Sequence, residues 1–212
     1  ALHVAEQPLS ARRRVVTLVA MCVAQGMILL DNTIVNVALP SIQRELDVDP
    51  GNLIWVVNAY VLALASLIMV GGTLGDRYGR KRVFLIGVTL FVAASVSCGL
   101  SGNVPTLVAA RVAQAVGAAL LTPASLSIVI AAFPQGKRAM TVSLWGAVAG
   151  FAAAVGPSLG SYVIESIGWP WAFFINLPIG AYSLWRGALL LPESPRASSR
   201  RRIDGVGMAL LI

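Results

Sequence analysis

Asp31 and Arg111 are ionisable side chains that stand inside long apolar stretches of this sequence. A lone carboxylate at the centre of a membrane-spanning helix costs roughly 2.5 to 3.5 kcal/mol on insertion scales, so it requires a protein or water environment. On a helical wheel Gln25, Asn32 and Asn36 share one stripe, and Asp31 lies beside it. Opposite charges in two such stretches predict a direct or water-mediated ion pair.

The predicted pair has two interpretations. One is a structural salt bridge that holds two helices together. The other is a titratable site, because burial favours the protonated form of a carboxyl group and a nearby guanidinium favours the ionised form. If Arg111 moves, the proton affinity of Asp31 then depends on conformation, which is the physical requirement for proton coupling. Gln114 lies close to Arg111 on a helix face that is otherwise small and polar.

The composition predicts that helices in a membrane position these groups. Hydrophobic residues make up 57% of the 212 residues and charged residues only 12%, against about 25% charged in soluble domains. An apolar helix of about 20 residues crosses the hydrocarbon core. We therefore expect an all-α integral membrane protein, with the first helix ending at Pro40 and a kink at Pro123. The six predicted spans are residues 15–39, 53–72, 83–100, 106–131, 141–164 and 171–191.

The basic residues of the connections predict the topology. Thirteen fall on one side of the six spans and only Arg44 on the other, and loops rich in Lys and Arg stay in the cytoplasm. The predicted organisation is a cytoplasmic tail (1–14), a six-span bundle (15–191), a cytoplasmic linker (192–202) and the start of a seventh span (203–212). The predicted location is the cytoplasmic membrane. Because these bases are confined to connections, no nucleic-acid partner is expected.

An enzyme is disfavoured by the residues that chemistry would need. His3 is the only histidine, and no Ser/His/Asp, Cys/His or metal-binding pattern is visible. The sequence has no phosphate-binding loop for direct use of ATP, so no cofactor is expected and the proton gradient would supply the energy. A membrane sensor or scaffold remains an alternative, and it predicts that Asp31 is dispensable.

Six motifs contain or accompany the intramembrane charges. They are LDNTIVNVALP (30–40), GTLGDRYGRKR (72–82), LVAARVAQAVGAA (107–119), GPSLGS (156–161) and GWPWAFFINLPIG (168–180), followed by RRIDGVG (201–207). In this order they resemble the major facilitator superfamily, and within it the fourteen-span drug:proton antiporters. The chain is thus similar to the N-terminal six-helix bundle of such a transporter, although Pro170 stands where arginine is usual.

The resemblance implies a role for the loop 72–82. In the family this loop latches the two halves in the outward-facing state, which Asp76, Arg77 and Arg80 would mediate here. The alternative is that its bases only orient the protein and touch anionic lipid. The residues at matching positions are Gly72, Asp76, Arg77, Gly79, Arg80 and Lys81.

The resemblance also implies a transport cycle. Asp31 would carry the proton and Arg111 would modulate its affinity, while Gly156, Pro157 and Gly160 would form a bendable helix that favours exchange over symport. The expected partners are a drug or hydrophobic metabolite, protons, membrane lipids and the C-terminal half of the same transporter. A symporter that imports a small metabolite is the alternative. The polar side chains expected in the substrate cavity are Asn32, Asn36, Asn58 and Gln114.

Overall fold

The structure, a computed structural model, describes residues 10–191. Those residues form helices and connections without a strand, which confirms the all-α prediction. The predicted linker, the start of the seventh span and residues 1–9 of the predicted tail lie outside the described residues. The helices are α1 (Ala11–Leu46), α2 (Pro50–Tyr78), α3 (Arg80–Gly99), α4 (Val104–Ala132), α5 (Arg138–Ile167), α6 (Trp171–Phe174) and α7 (Asn176–Leu190).

The first helix is longer than predicted. The expected stop at Pro40 is wrong, because α1 continues through this residue to Leu46. Proline removes one backbone hydrogen bond, here to the carbonyl of Asn36. Ala38 and Ile42 on either side of it are completely buried, so tertiary packing holds the helix together across the missing bond. Pro123 likewise lies within the continuous α4.

The sixth predicted span is divided in the structure. Residues 171–191 were expected to form one helix, but Ile175 separates the four-residue α6 from the 15-residue α7. The reason is Pro178, which has no N–H to donate to the carbonyl of Phe174 and whose ring crowds that carbonyl. Five helices in the described part of the chain are long and apolar enough to cross a membrane: α1 to α4, and α5 with the turn before it.

Close packing between backbones builds the bundle: α1 lies along α5, and α4 lies along both α2 and α3. At the α3–α4 crossing, a Cβ atom on Gly117 would stand 2.6 Å from the backbone nitrogen of Phe91, and one on Gly87 2.8 Å from that of Leu121. At the α2–α4 crossing, a Cβ on Gly71 would overlap the carbonyl of Ala119. Glycine at these positions lets helices approach more closely than any side chain would permit.

The same kind of contact involves the GPSLGS motif of α5. A Cβ atom on Gly156 would overlap the hydroxyl of Thr33, and one on Gly160 would lie 3.2 Å from the side chain of Ile34. Pro157 is exposed between them. The two glycines therefore hold α5 against α1, on the helix that carries Asp31.

We expect Gly117→Ala to destabilise the protein by roughly 1 to 3 kcal/mol, because the new methyl group meets backbone atoms that no rotamer change can move away. Gly136→Ala is the matched control, since a Cβ atom there has nothing within 4 Å. Thermal unfolding of the full-length protein in detergent measures both. Equal midpoints for the two variants would contradict the close crossing of α3 and α4.

Contacts between helix ends show that α3 runs opposite to α4 and α7, and that α1 and α5 end on the same side. Near the start of α3, Arg80 donates to the carbonyl of Ser127 and Lys81 to that of Ala188, close to the ends of α4 and α7. At the opposite end Trp169 donates to the carboxylate of Glu45 at 2.9 Å. The basic residues of the loops 77–82 and 137–138 are therefore gathered at one end of the bundle, as the predicted topology requires.

Candidate functional site

Asp31 and Arg111 form a direct ion pair in the centre of the bundle. Nη1 of Arg111 lies 2.6 Å from Oδ2 of Asp31, and both side chains are completely inaccessible to solvent. The pairing predicted from the cost of isolated charges in lipid is therefore present in the structure. It joins α1 to α4 across a separation of 80 residues in the sequence.

The second oxygen of Asp31 accepts two amide hydrogen bonds. Gln114 donates to Oδ1 from Nε2 at 2.8 Å, and Asn176 donates from Nδ2 at 2.7 Å. With Arg111, three donors surround the carboxyl group. This pattern suits an ionised carboxylate, which only accepts hydrogen bonds.

Arg111 has partners besides the carboxylate. Its Nη1 also donates to Oε1 of Gln114 at 2.6 Å, and its Nε donates to the backbone carbonyl of Val56 in α2 at 3.3 Å. Its guanidinium carbon lies 3.9 Å from the centre of the Tyr60 ring, a favourable cation–π distance. These contacts would continue to hold the guanidinium if Asp31 became neutral.

Ser95, in α3, completes the hydrogen-bond network around Asp31. Its hydroxyl accepts from Nε2 of Gln114 at 2.8 Å and from Nδ2 of Asn176 at 3.3 Å, and donates to the carbonyl of Phe91. Five helices thus contribute to one polar cluster whose side chains are all 0% exposed. This coupling cluster consists of Asp31, Tyr60, Ser95, Arg111, Gln114 and Asn176.

Sequence reasoning missed three members of the coupling cluster and one further charge. Tyr60, Ser95 and Asn176 are polar residues within apolar spans, which is itself a signal of a functional position in a membrane. Arg186 lies within the predicted sixth span, and its guanidinium carbon sits 4.4 Å from the centre of the Trp185 ring. The same signal would have found this arginine.

The predicted cavity residues divide between two environments. Gln114 belongs to the coupling cluster, whereas Asn36 and Asn58 are exposed and Asn32 is half-buried. Nδ2 of Asn36 donates to the backbone carbonyl of Asn32 at 2.7 Å. The structure therefore does not bring these three asparagines to the carboxylate, and their place in a substrate cavity stays a prediction.

The loop between α2 and α3 is bound to its own bundle. Gly79 ends α2 with φ of 99°, a conformation that favours glycine. Arg80 pairs with Asp76 at 3.2 Å, and Nζ of Lys81 donates to the carbonyl of Ala188 at 3.0 Å. Arg77 lies over the ring of Tyr78. The role of this loop as a latch stays a prediction.

Gly71, which directly precedes this motif, makes a much closer helix contact than Gly72. A Cβ atom on Gly72 would lie 3.7 Å from Pro123, an ordinary contact distance, whereas one on Gly71 would overlap the backbone of α4. Sequence periodicity does not distinguish neighbouring glycines, because only the packed structure shows which of them faces the other helix.

We expect Asn176→Leu to destabilise the protein by roughly 1.5 to 3 kcal/mol, because Oδ1 of Asp31 loses a donor and a hydrogen bond to a charged group is among the stronger ones. Asn58→Leu is the control, since Asn58 is exposed and its replacement is expected to change stability by no more than about 0.5 kcal/mol. Thermal unfolding in detergent compares the two. If Asn176→Leu were as stable as Asn58→Leu, the hydrogen bond from α7 to Asp31 would contribute nothing to stability.

No group of three or more His, Cys, Asp or Glu side chains that could hold a metal ion is found between residues 10 and 191. The cluster consists of a carboxyl group, which can take up a proton, and of a guanidinium, amides and hydroxyls, which donate or accept hydrogen bonds.

Solved structures show the same architecture. The chain is similar to a proton:xylose symporter of the major facilitator superfamily, with a TM-score of 0.76 and 16% sequence identity over 88% of this chain and 46% of that one. It is likewise similar to a peptide transporter, with a TM-score of 0.72 and 18% identity over 81% of this chain and 37% of that one. These likenesses concern the fold.

Sequence comparison finds curated relatives among exporters and other transporters. The chain is 43% identical over 202 residues to the multidrug resistance protein Stp of Mycobacterium tuberculosis, and 38% identical over 195 residues to the tetracenomycin C resistance and export protein of Streptomyces glaucescens. It is also 33% identical over 199 residues to the riboflavin transporter RibZ of Clostridioides difficile.

These alignments cover 92 to 95% of this chain but only 36 to 44% of the three relatives, so the chain spans about two-fifths of their length. The profile of the Major Facilitator Superfamily matches residues 21–206, which include every member of the coupling cluster. The chain therefore belongs to the major facilitator superfamily.

Proposed function

We propose that this chain forms the N-terminal half of a proton-coupled antiporter that exports drugs, antibiotics or hydrophobic metabolites across the cell membrane. The observation that carries the proposal is the completely buried carboxylate of Asp31, held 2.6 Å from Arg111. Placing a charge pair at this depth of a membrane has a high free-energy cost, and intramembrane ionisable groups are characteristic of proton pathways. The relatives named as multidrug and antibiotic resistance proteins support export as the direction.

The geometry supports a proton-dependent change in packing. In the observed arrangement the charge of Asp31 ties α1 to Arg111 and Gln114 of α4 and to Asn176 of α7. A proton on Asp31 removes that charge and with it the Coulomb attraction to Arg111. The guanidinium keeps its contacts with Gln114, the Val56 carbonyl and the Tyr60 ring but loses its compensating charge, so protonation loosens α1 from α4.

Alternating access then follows from movement of one half of the transporter against the other, with the substrate bound between them. Among the membrane-crossing helices, α2 and α5 bury the smallest share of their apolar stretches, so they offer the surfaces for the C-terminal half. Arg111 contacts α2 directly through Val56 and Tyr60, which links the charge of Asp31 to one of these surfaces. The basic loops would face the cytoplasm, with the N-terminus on the same side.

The second candidate is a carrier for a small metabolite, either a symporter or an exchanger. The relative that favours it is the riboflavin transporter, which is 33% identical to this chain. The two candidates share the proton site and differ in the substrate, and a symporter differs also in the direction of coupled movement.

Reconstituted transport separates them. The full-length transporter is placed in liposomes with an acidic lumen and offered ethidium, a permanently charged cation that a pH difference alone does not trap. An antiporter concentrates ethidium in the acidic lumen, whereas a symporter drives a preloaded substrate outward. A protonophore and protein-free liposomes are the controls.

Concentration of ethidium in the lumen that the protonophore abolishes is the result that the proposal predicts. Uptake unaffected by the pH difference would contradict proton coupling. Coupled movement of riboflavin together with failure to move ethidium would favour the metabolite carrier.

A further inference from the structure

Asn176 is the first residue of α7, and its side-chain amide is completely buried against Asp31. Its Nδ2 donates to Oδ1 of Asp31 at 2.7 Å and to the hydroxyl of Ser95 at 3.3 Å. The oxygen of the same amide, Oδ1, is buried and has no hydrogen-bond partner among the described residues. Buried amide oxygens are usually paired, so an unpaired one beside a carboxyl group requires an explanation.

The charge on Asp31 determines which end of the Asn176 amide must face it. An ionised carboxylate only accepts hydrogen bonds, so it requires the NH2 group of the amide. A carboxyl group that carries a proton on the facing oxygen requires an acceptor instead. The two ends of an amide have nearly the same size and shape, so rotating it by half a turn exchanges them without repacking the neighbouring side chains.

The other two partners of Asp31 cannot become acceptors. A guanidinium has donors only, so Arg111 offers an N–H whether or not Asp31 is charged. Oε1 of Gln114 lies 2.6 Å from the same guanidinium, so rotating this amide would turn its NH2 group against the cation. Cys98 lies 3.8 Å from that oxygen as a further donor. Among the three partners of Asp31, only Asn176 can change from donor to acceptor.

The same contacts indicate which oxygen of Asp31 takes up the proton. Oδ2 lies 2.6 Å from Nη1 of Arg111, where a new O–H would point at a permanent cation. Oδ1 faces the amides of Gln114 and Asn176 at 2.8 and 2.7 Å. A proton is therefore taken up at Oδ1, where Asn176 is the amide that can turn an oxygen towards it.

The ionisable groups in contact with Asp31 or with its partners are Arg111 of α4, Tyr60 of α2 and Cys98 of α3. The hydroxyl of Tyr60 has no hydrogen-bond partner among the described residues, and the thiol of Cys98 is directed to Gln114. The helices α5 and α6 contribute no side chain to the coupling cluster, and α7 contributes Asn176 alone. No ionisable neighbour in this part of the chain therefore provides an acceptor for the new O–H.

We propose that Asn176 is a positioning residue that follows the proton on Asp31. When Oδ1 of Asp31 binds a proton, the Asn176 amide rotates and its own Oδ1 accepts a hydrogen bond from the new O–H. One O–H bond forms and no covalent bond breaks. Asn176 has one unpaired amide atom in each arrangement, Oδ1 before the rotation and Nδ2 after it, so the rotation does not increase their number.

The rotation keeps α1 in contact with α7 in both protonation states. Protonation weakens the ion pair between α1 and α4 at the same time, so α1 and α7 move together relative to α4. This inference rests on the proposed uptake of a proton by Asp31, and it adds which helix remains attached to α1 when the proton binds.

Infrared difference spectroscopy of the full-length transporter in liposomes, recorded between alkaline and acidic buffer, tests the rotation. Comparing protein that contains ordinary asparagine with protein whose asparagine is ¹³C-labelled at the side-chain carbonyl isolates the asparagine bands. The carbonyl of Asn176 gains a hydrogen bond on acidification, so its band is expected to move to lower wavenumber. Asn176→Leu assigns this band, which should be missing from the spectrum of that variant.

The band of the protonated Asp31 carboxyl group gives a second readout. Asn176→Leu leaves its O–H without an acceptor, so this band is expected at higher wavenumber than in the wild type. Ser95→Ala is the matched control, because Ser95 is the neighbouring hydroxyl and its hydrogen bonds in the described structure do not include Asp31. A band that moves in Ser95→Ala but not in Asn176→Leu would make Ser95 the acceptor and would overturn the assignment.

The outcomes separate this inference from the proposed function. A carboxyl band that appears on acidification while the wild-type asparagine bands stay unchanged would overturn the rotation and leave Asp31 as the proton carrier. That comparison needs no variant, so it decides the matter even if Asn176→Leu gives too little folded protein. An asparagine band change that persists in Asn176→Leu would belong to another asparagine and would also overturn it. A wild-type spectrum without the carboxyl band would remove the proposed function and this inference together.

Discussion

Asp31→Asn is expected to abolish proton-driven export while the transporter still inserts and folds. Asparagine keeps the shape of the side chain but cannot take up and release a proton. The cluster can adapt, because Oδ1 of Asn176 has no hydrogen-bond partner among the described residues. Rotating the Asn176 amide offers its Oδ1 to the new amide group at position 31, while the remaining oxygen at position 31 accepts from Arg111. Nε2 of Gln114 loses its acceptor at position 31 and keeps its hydrogen bond to Ser95.

The measurement is uphill ethidium transport in liposomes, with downhill counterflow and protein yield recorded in parallel. We expect active accumulation to fall at least 100-fold, in line with the loss of an essential proton-transfer group. Asp47→Asn is the control, because this exposed acid lies in the connection between α1 and α2 and its αL backbone suits asparagine. Uphill transport by Asp31→Asn with the wild-type dependence on pH would exclude Asp31 as the coupling group.

Arg111→Leu is expected to destabilise the protein more than any other single change in the coupling cluster. It leaves the carboxylate of Asp31 buried without a compensating charge, which typically costs about 3 to 5 kcal/mol. It also removes the contacts to Val56 and Tyr60 that join α4 to α2. We therefore expect low yield and a lowered unfolding midpoint as well as loss of transport.

The double variant Asp31→Asn with Arg111→Leu distinguishes a stranded charge from lost packing. Neutralising Asp31 in the Arg111→Leu background removes the unpaired carboxylate, so we expect the double variant to be more stable than Arg111→Leu alone, although it does not transport. A double variant that is less stable than either single variant would show that the two charges do not depend on each other.

The contact between Asp31 and Arg111 could be predicted from the sequence, because the free-energy cost of an isolated charge in lipid leaves few arrangements other than a pair. The place of Asn176 within an apolar span marks it as a candidate, but its contact with Asp31 could not be predicted, since an amide in a span does not require a charged partner. The three asparagines predicted to line a cavity are the opposite case, since they were named from the sequence but do not lie at the carboxylate. A helical wheel groups side chains by angle but does not say which neighbour each stripe faces.

The two errors in helix bounds have one cause. Proline removes a single hydrogen bond, and the surrounding packing decides whether the helix survives that loss. Ala38 and Ile42 are buried around Pro40, and α1 continues, whereas α6 and α7 separate shortly before Pro178. Hydropathy carries no information about tertiary packing. It therefore predicted that the first helix ends at Pro40, where α1 continues, and that residues 171–191 form one helix, where α6 and α7 are separate.

Infrared difference spectroscopy of the full-length transporter in liposomes, recorded between alkaline and acidic buffer, observes the proton on Asp31 directly. The band of a protonated carboxyl group should appear on acidification in the wild-type protein and be missing from the same difference spectrum of Asp31→Asn. Identical spectra for the two proteins across the pH range in which transport is active would show that Asp31 does not change its protonation state, and would contradict its role as the proton carrier.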